Sequence, residues 1–354
     1  AKAGLPDFIT LARHVADDLG SVQHGEVRRL LDAACPPAKS GKPIATVAMD
    51  RVFTLLQQEF EVSDVRRAVA TALQAPADCD LSPHRTLLEL SRVRTGQPRL
   101  VTTNFDRFFE LAQEGLYSSA PPHLPDPRRP KDFHGVVHLH GAVNRHHNGA
   151  EHDEFVLSSG EFGHAYLSDG WATRYIQALL ERFIIVFVGY SADDPPVQYL
   201  LEAMNRGATE DPRLYAFHLG SAQDGAAQWS NRGVKPIPFD QYSSLWETLE
   251  AWATRARDID AWHRTIFDLA KDGPVVLTPH QRSLVTHLAR STDGARALAT
   301  SAFSLPAEWL FVFDRAVRYS TPSRWREDAD SVDPFDALGL DEDPAPDRVD
   351  TQDP

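Results

Sequence analysis

The chain has 354 residues, 42% hydrophobic and 24% charged, with a formal net charge of −14, which is enough apolar material for one large core and a smaller unit. No apolar run reaches the ~18 residues of a membrane span, and no signal-peptide pattern is present, so a cytoplasmic protein without a membrane segment is expected. Cys35 and Cys79 lie far apart with no CxxC, which excludes a disulfide framework or a cysteine zinc ribbon, and the acidic balance argues against direct nucleic-acid binding by this chain.

Leu11, Val15 and Leu19 share one face of a helix over 10–20, and a second helix is expected over 26–34. After breaks at Pro36-Pro37 and Ser40-Gly41-Lys42-Pro43, helices over 45–60, 62–74 and 83–94 complete a helical insertion spanning about 26–94. Arg99 to Thr103 is the first strand, bounded by Gly96 and Pro98, with a helix from Asp106 to Glu114 behind it. A proline-rich loop then leads to a strand from Val136 to Leu139. Residues 160–182 read as largely helical with a turn near Gly170. Phe183 to Tyr190 reads as an apolar strand, the pattern of one buried on both faces. Asp194 to Arg206 follows as helix, and Arg213 to Leu219 and Val234 to Phe239 as strands. This alternation predicts an α/β fold with a doubly wound parallel (Rossmann-like) sheet, a helical insertion and a C-terminal helical extension.

From 244 onward Leu245, Leu249, Trp252, Ala256, Ile259, His263 and Ile266 recur at helical spacing, a stripe expected to pack against the sheet domain. Two more helices are expected over 277–318, so that the helical extension covers 244–320. Residues 321–354 carry 11 acidic and 3 basic side chains and read as an acidic linker or tail.

Right-handed crossovers place the loops after 103, 140 and 190 on the carboxyl edge of the sheet, where α/β folds bind ligands. Asn104 and Asp106 alternate across one residue, so extended backbone points both the same way. An amide can donate to and accept from a hydroxyl or water, and a carboxylate can fix its orientation. His140 supplies a base near neutral pH, and Gly141 admits close approach. Gly189-Tyr190-Ser191 repeats the pattern on a third strand, with Ser191 able to donate to a phosphate or ribose hydroxyl. Each residue also has an ordinary use: Asn104 in a turn, Asp106 as a helix cap, His140 as a satisfied buried histidine. The functional reading rests on all three sharing one edge. Six histidines crowd residues 134–152 (His134, His138, His140, His146, His147 and His152). Without HxxxH spacing on a helix they predict no metal site, and His146 and His147 read as solvated loop residues.

Thr102-Thr103-Asn104-Phe105-Asp106 resembles the TQNxD motif of sirtuins, and His140-Gly141 resembles their histidine-glycine pair. Gly189-Tyr190-Ser191 looks like their GTS/GYS segment, and Gly4-Leu5-Pro6-Asp7-Phe8 is similar to their GIPDF stretch. The order agrees over roughly residues 1–240. Three departures accompany the match. The glycine-rich GAGxS phosphate loop is absent and would precede Ala1, Ile9 replaces an arginine, and the four zinc-binding cysteines are missing. Leu157-Ser158-Ser159-Gly160-Glu161-Phe162, with Ala165-Tyr166 and Trp171, resembles the bacterial sirtuin-like proteins that act as NAD-consuming effectors in antiphage defence, of the Thoeris and defence-associated sirtuin type.

The resemblance implies a sirtuin-like NAD-binding catalytic domain over 1–243 and NAD+ glycohydrolase activity, with NAD as substrate and no metal. Asn104, His140 and Asp106 would be catalytic: Asn104 positions water and ribose hydroxyls, Asp106 holds the loop and ribose side, and His140 acts as general base. Pro6, Asp7, Phe8, Thr103, Gly189, Tyr190 and Ser191 would join these three in binding NAD, with Phe8 over the nicotinamide. A homo-oligomer is implied, along with further domains or a partner subunit of a defence complex. Two alternatives stay open: an NAD-dependent protein deacylase or ADP-ribosyltransferase, which the missing zinc ribbon disfavours, and a non-catalytic NAD-binding or oligomerisation module.

Overall fold

The computed structural model describes residues 4–22, 25–34, 49–93, 96–129, 131–150, 155–190, 201–202 and 213–313. Two compact units divide the chain, with the boundary between Glu250 and Ala251.

In the first unit, helices α1 (Phe8–Asp18), α2 (Glu26–Ala34), α3 (Met49–Glu59), α4 (Val62–Ala72) and α5 (Ser82–Leu90) precede the first strand. Asp7 starts α1 by accepting a hydrogen bond from Thr10 N at 2.7 Å, the ordinary N-cap arrangement. Leu11 and Val15 of α1, Val52, Phe53 and Leu56 of α3, and Val65 and Val69 of α4 bury their apolar faces together. The same cluster takes in Phe105, Val143, Phe155 and Leu157 from the loops beyond the strands. The helical insertion is therefore packed onto the edge that carries the candidate residues.

The strands follow as β1 (Arg99–Thr102), β2 (Ser118–Ser119), β3 (Gly135–His138), β4 (Ile185–Phe187), β5 (Leu214–Leu219) and β6 (Lys235–Phe239). Every pairing between them is parallel, as the α/β alternation predicts. The ladders form two groups of three, β1-β3-β2 and β4-β5-β6. Among the described residues β1 pairs only with β3 and β4 only with β5. The expectation that Phe183 to Tyr190 is a strand buried on both faces needs correcting, since the strand itself is Ile185–Phe187. Ile185 and Phe187 pack into a core with Val137, Leu139, Leu214 and Ala216, whereas Ile184 is 67% exposed and Val186 37%. Successive strand side chains face opposite sides, and among the described residues the core covers the Ile185 and Phe187 side of β4.

Between the strands lie α6 (Phe108–Ala112), α7 (Ser159–Gly163), a π-helical turn (His164–Ser168), α8 (Trp171–Leu180) and α9 (Ala222–Trp229). Gly170, with φ 65°, separates the π turn from α8, the turn expected inside 160–182. The short β2 and helix α9 were not foreseen. The expected helix from Asp194 to Arg206 lies outside the described residues save for 201–202.

Helix α10 (Tyr242–Arg257) runs across the unit boundary, and α11 (Ile259–Lys271), α12 (Pro279–Arg290), α13 (Thr292–Ala299) and α14 (Trp309–Phe313) follow, three helices after 277 where two were expected. The 244–266 stripe is not one continuous face. Asp258 interrupts it by accepting from Ala261 N and starting a new helix, and Trp252 and Ile259 are exposed. Ile266 instead packs into a core internal to the second unit, with Trp262, Ala270, Val285, Leu288, Leu298 and Trp309. Trp309 Nε1 donates to Ala270 O at 2.8 Å, satisfying the indole inside that core. No described helix is long and apolar enough to cross a membrane.

Candidate functional site

The candidate residues follow from strand register. Thr102 pairs with His138 at the carboxyl ends of β1 and β3, so Asn104 and His140 each stand two residues beyond one matched pair. The pairing continues past the ladder: Leu139 N donates to Thr102 O at 2.8 Å and Val143 N to Phe105 O at 2.9 Å. Gly141 makes the turn at φ 87°, a backbone region that costs other residues energy, and its N–H donates to His138 O.

The side chains sit differently from one another. Asn104 is exposed, and its N–H is held by Thr102 Oγ1 at 3.1 Å. Asp106 is buried, and Oδ1 accepts from Phe108 N at 3.0 Å at the start of α6. Asn104 and Asp106, expected to point the same way, differ in setting, one exposed and the other buried, beyond a ladder that ends at Thr102. Burial pushes the Asp106 carboxyl upward, against the backbone hydrogen bond from Phe108 and the nearby His84 and His138. His140 is 3% exposed. Its Nε2 lies 2.7 Å from Tyr166 Oη, and its ring meets Phe162 edge-on at 5.3 Å. Desolvation in this aromatic nest lowers its pKa to about 3, so the imidazole is neutral at physiological pH. Among the described residues no hydrogen bond joins the side chains of Asn104 and His140.

The remaining candidates are spread along the same unit. Pro6 is half-buried, and Phe8, half-buried against the helical core, stacks on Phe53 at 5.3 Å. Asp7 is committed to capping α1, and the Thr10 backbone hydrogen bond lowers its pKa. Thr103 is half-buried. Gly189 is exposed with φ 67°, and Tyr190 stacks on Phe187 at 5.5 Å. Ser191 lies outside the described residues. Of the other histidines, His146 is exposed, His147 Nδ1 lies 3.1 Å from Ala70 O, and His152 lies outside the described residues. Among the described residues no three His, Cys, Asp or Glu side chains converge as a metal-binding group. A cleft of about 840 Å³ lined by Gln97, Arg99, Tyr117, Lys131, Phe133 and His134 opens at the amino ends of β1–β3, the opposite edge from Asn104 and His140.

Residues 98–237 match a family model described as a SIR2-like domain. The chain carries a SIR2-like domain. This domain takes in Asn104, Asp106, His140, Gly189 and Tyr190, and runs from β1 into β6. SIR2-like domains are associated with NAD-dependent enzymatic activity. A protein of Sinorhizobium fredii (strain NGR234), named Uncharacterized protein y4cA, is 36% identical over 230 residues, which covers 60% of this chain and 19% of that protein.

Two features of the SIR2-like domain were not read from the sequence, where Glu161, Phe162 and Tyr166 enter only within a resemblance. Tyr166 and Phe162 enclose His140, brought there by α7 and the π turn. Glu161 anchors that segment: its carboxylate accepts from Leu157 N, Ser158 N and Ser158 Oγ, and meets Arg66 Nη2 at 3.0 Å and Gln57 Nε2 at 3.2 Å. The Ser158-x-x-Glu161 capping box was the available signal for the helix start. Nothing in the sequence announced its long-range partners.

Proposed function

We propose that the SIR2-like domain is an NAD+ glycohydrolase. The observation that carries this reading is the Thr102–His138 register, which sets a carboxamide and a neutral imidazole on adjacent loops at one sheet edge. In the reaction the bond between the ribose C1′ and the nicotinamide nitrogen breaks with its electron pair moving onto the nicotinamide, which leaves neutral. Water attacks the oxocarbenium-like carbon, and its proton passes to a base.

Asn104, the exposed amide, orients that water and the ribose hydroxyls. His140 serves as the base in the complex, where the water and sugar that reach it relieve the desolvation that otherwise depresses its basicity. Asp106 fixes the Asn104 loop through Phe108 N. Phe8 covers the nicotinamide, Pro6, Asp7 and Thr103 line its approach, and Gly189, Tyr190 and Ser191 contact the adenosine half.

By the same resemblance we place this activity in an NAD-depleting effector of bacterial antiphage defence, acting as a cytoplasmic homo-oligomer with further domains or a partner subunit.

The test is nicotinamide release from NAD+ by the full-length protein without acylated peptide, alongside Asn104→Ala and His140→Ala. His140→Ala should cost at least about 10²-fold, and Asn104→Ala should lower the rate as well. Equal rates in all three proteins reject the site. Release that strictly requires acylated peptide makes the protein a deacylase, and tight NAD binding without turnover makes it a regulatory module.

A further inference from the structure

His138 plays no part in the reaction above, yet its setting is unlike that of the other described histidines. It is the last residue of β3, its side chain is 1% exposed, and both ring nitrogens meet oxygens. Nδ1 lies 3.1 Å from the main-chain carbonyl oxygen of Asn104, and Nε2 lies 3.0 Å from Glu110 Oε1. A carbonyl oxygen only accepts, so Nδ1 donates. An ionised carboxylate only accepts as well, and Glu110 is one. Arg107 Nη1 lies 2.8 Å from Glu110 Oε1, an ion pair that keeps the carboxyl ionised. Both ring nitrogens then carry hydrogen.

We propose that His138, as an imidazolium donating through both nitrogens, is a positioning residue that clamps the Asn104 main chain to Glu110. Glu110 Oε1 is shared between this imidazolium and Arg107 Nη1 at 2.8 Å, and the Asp106 carboxyl lies near His138. A buried charge is costly unless it is paired and hydrogen-bonded, and this one is both.

The clamp reaches the second loop too. Arg107 Nε donates to Val143 O at 2.7 Å, so Glu110 ties the chain beyond Gly141 to the chain at Asn104. Beyond the last ladder pair, Thr102 with His138, the loops are joined by the backbone hydrogen bonds Leu139 N to Thr102 O and Val143 N to Phe105 O, and the side-chain clamp adds to these. The clamp acts on the reaction through Asn104, and to that extent it rests on the glycohydrolase reading.

Two measurements on the full-length protein decide it. With ¹⁵N-labelled histidine, both His138 ring nitrogens should show the shift of protonated nitrogen at neutral pH, while His140 shows one protonated and one bare nitrogen. The His138 signals are assigned by their loss in His138→Gln. A bare nitrogen in His138 overturns the clamp.

In nicotinamide release, folded His138→Gln should lose about tenfold or more in kcat with KM within about twofold, the sign of an interaction needed in the transition state rather than for binding. Glu110→Gln should lose a similar factor, and the double variant no more than the worse single one, because the pair acts as a unit. Wild-type kcat in folded His138→Gln, or losses that multiply, overturn it. If the wild-type protein releases no nicotinamide, the glycohydrolase reading fails by itself. The nitrogen shifts and amide exchange at residues 103–106 then decide the clamp; His138→Gln must accelerate that exchange, and unchanged exchange overturns it.

Discussion

His140 Nε2 and Tyr166 Oη lie 2.7 Å apart, both buried, with Phe162 stacked along the tyrosine ring. A neutral imidazole has one bare nitrogen and one N–H, and the phenol partners Nε2 in either role. Tyr166→Phe keeps the ring and removes the hydroxyl, leaving a ring nitrogen in an apolar nest without that partner. A loss of about 1–3 kcal/mol is expected, the cost of one unsatisfied buried polar group. Chemical denaturation of the two proteins measures it, and unchanged midpoint and slope would count against the contact.

The same burial makes stability depend on pH. The folded-state pKa of His140 is lowered to about 3, whereas an unfolded histidine titrates near ~6.5. A group whose folded pKa is depressed leaves the unfolded state binding more protons between the two values, so stability falls as pH drops through that window. Each unit below ~6.5 costs up to about 1.4 kcal/mol. Glu110, lowered from 4.5 to about 2, loses its contribution only at more acid pH. His84 and His287 are also lowered by burial and add slope of the same sign. His140→Gln should therefore flatten, without abolishing, the pH dependence of the unfolding free energy between ~6.5 and ~5. Parallel curves for the two proteins would mean that His140 is solvated.

Glu161 holds the Leu157–Phe162 segment to α3 and α4 and caps α7. Glu161→Ala removes the capping acceptor and leaves the Arg66 guanidinium without it, so a loss of about 2 kcal/mol or more is expected. Glu161→Gln retains an acceptor for the cap and should lose less. Thermal melts of the three proteins should rank them in that order. A reversed order would show that the cap matters less than the charge pair.

Gly141 stands at φ 87° between the candidate base and the strand-to-loop hydrogen bonds. Gly141→Ala should destabilise by about 1–2 kcal/mol, because an L side chain is strained there. Denaturant titration checks this, and a neutral result would require the turn to relax.

Much of this was legible from residue order. Arg99–Thr102, Gly135–His138, Leu214–Leu219 and Lys235–Phe239 are strands where apolar runs meet turn residues, and parallel pairing follows from the helices between them. The stripe from 244 misled because periodicity continues through Asp258, while the helix does not: a cap is a local hydrogen bond that spacing cannot register. Ile184 misled because an apolar strand states only that both faces tolerate burial, not that both are covered. The site was legible as a set of positions, Asn104, Asp106 and His140 after strand ends. It was not legible as a set of orientations: Asn104 is open, Asp106 turned inward, and His140 enclosed.

The amino-acid order determined the α/β class, the parallel strands and the edge at which chemistry can collect, since these follow from local periodicity and strand-end chemistry. Tertiary structure alone decided the partners: Tyr166 on His140 and Glu110 on His138, separated by 26 and 28 residues. Contacts across such separations depend on how whole elements pack, and a side chain's burial, charge state and hydrogen-bond partner exist only once that packing is in place.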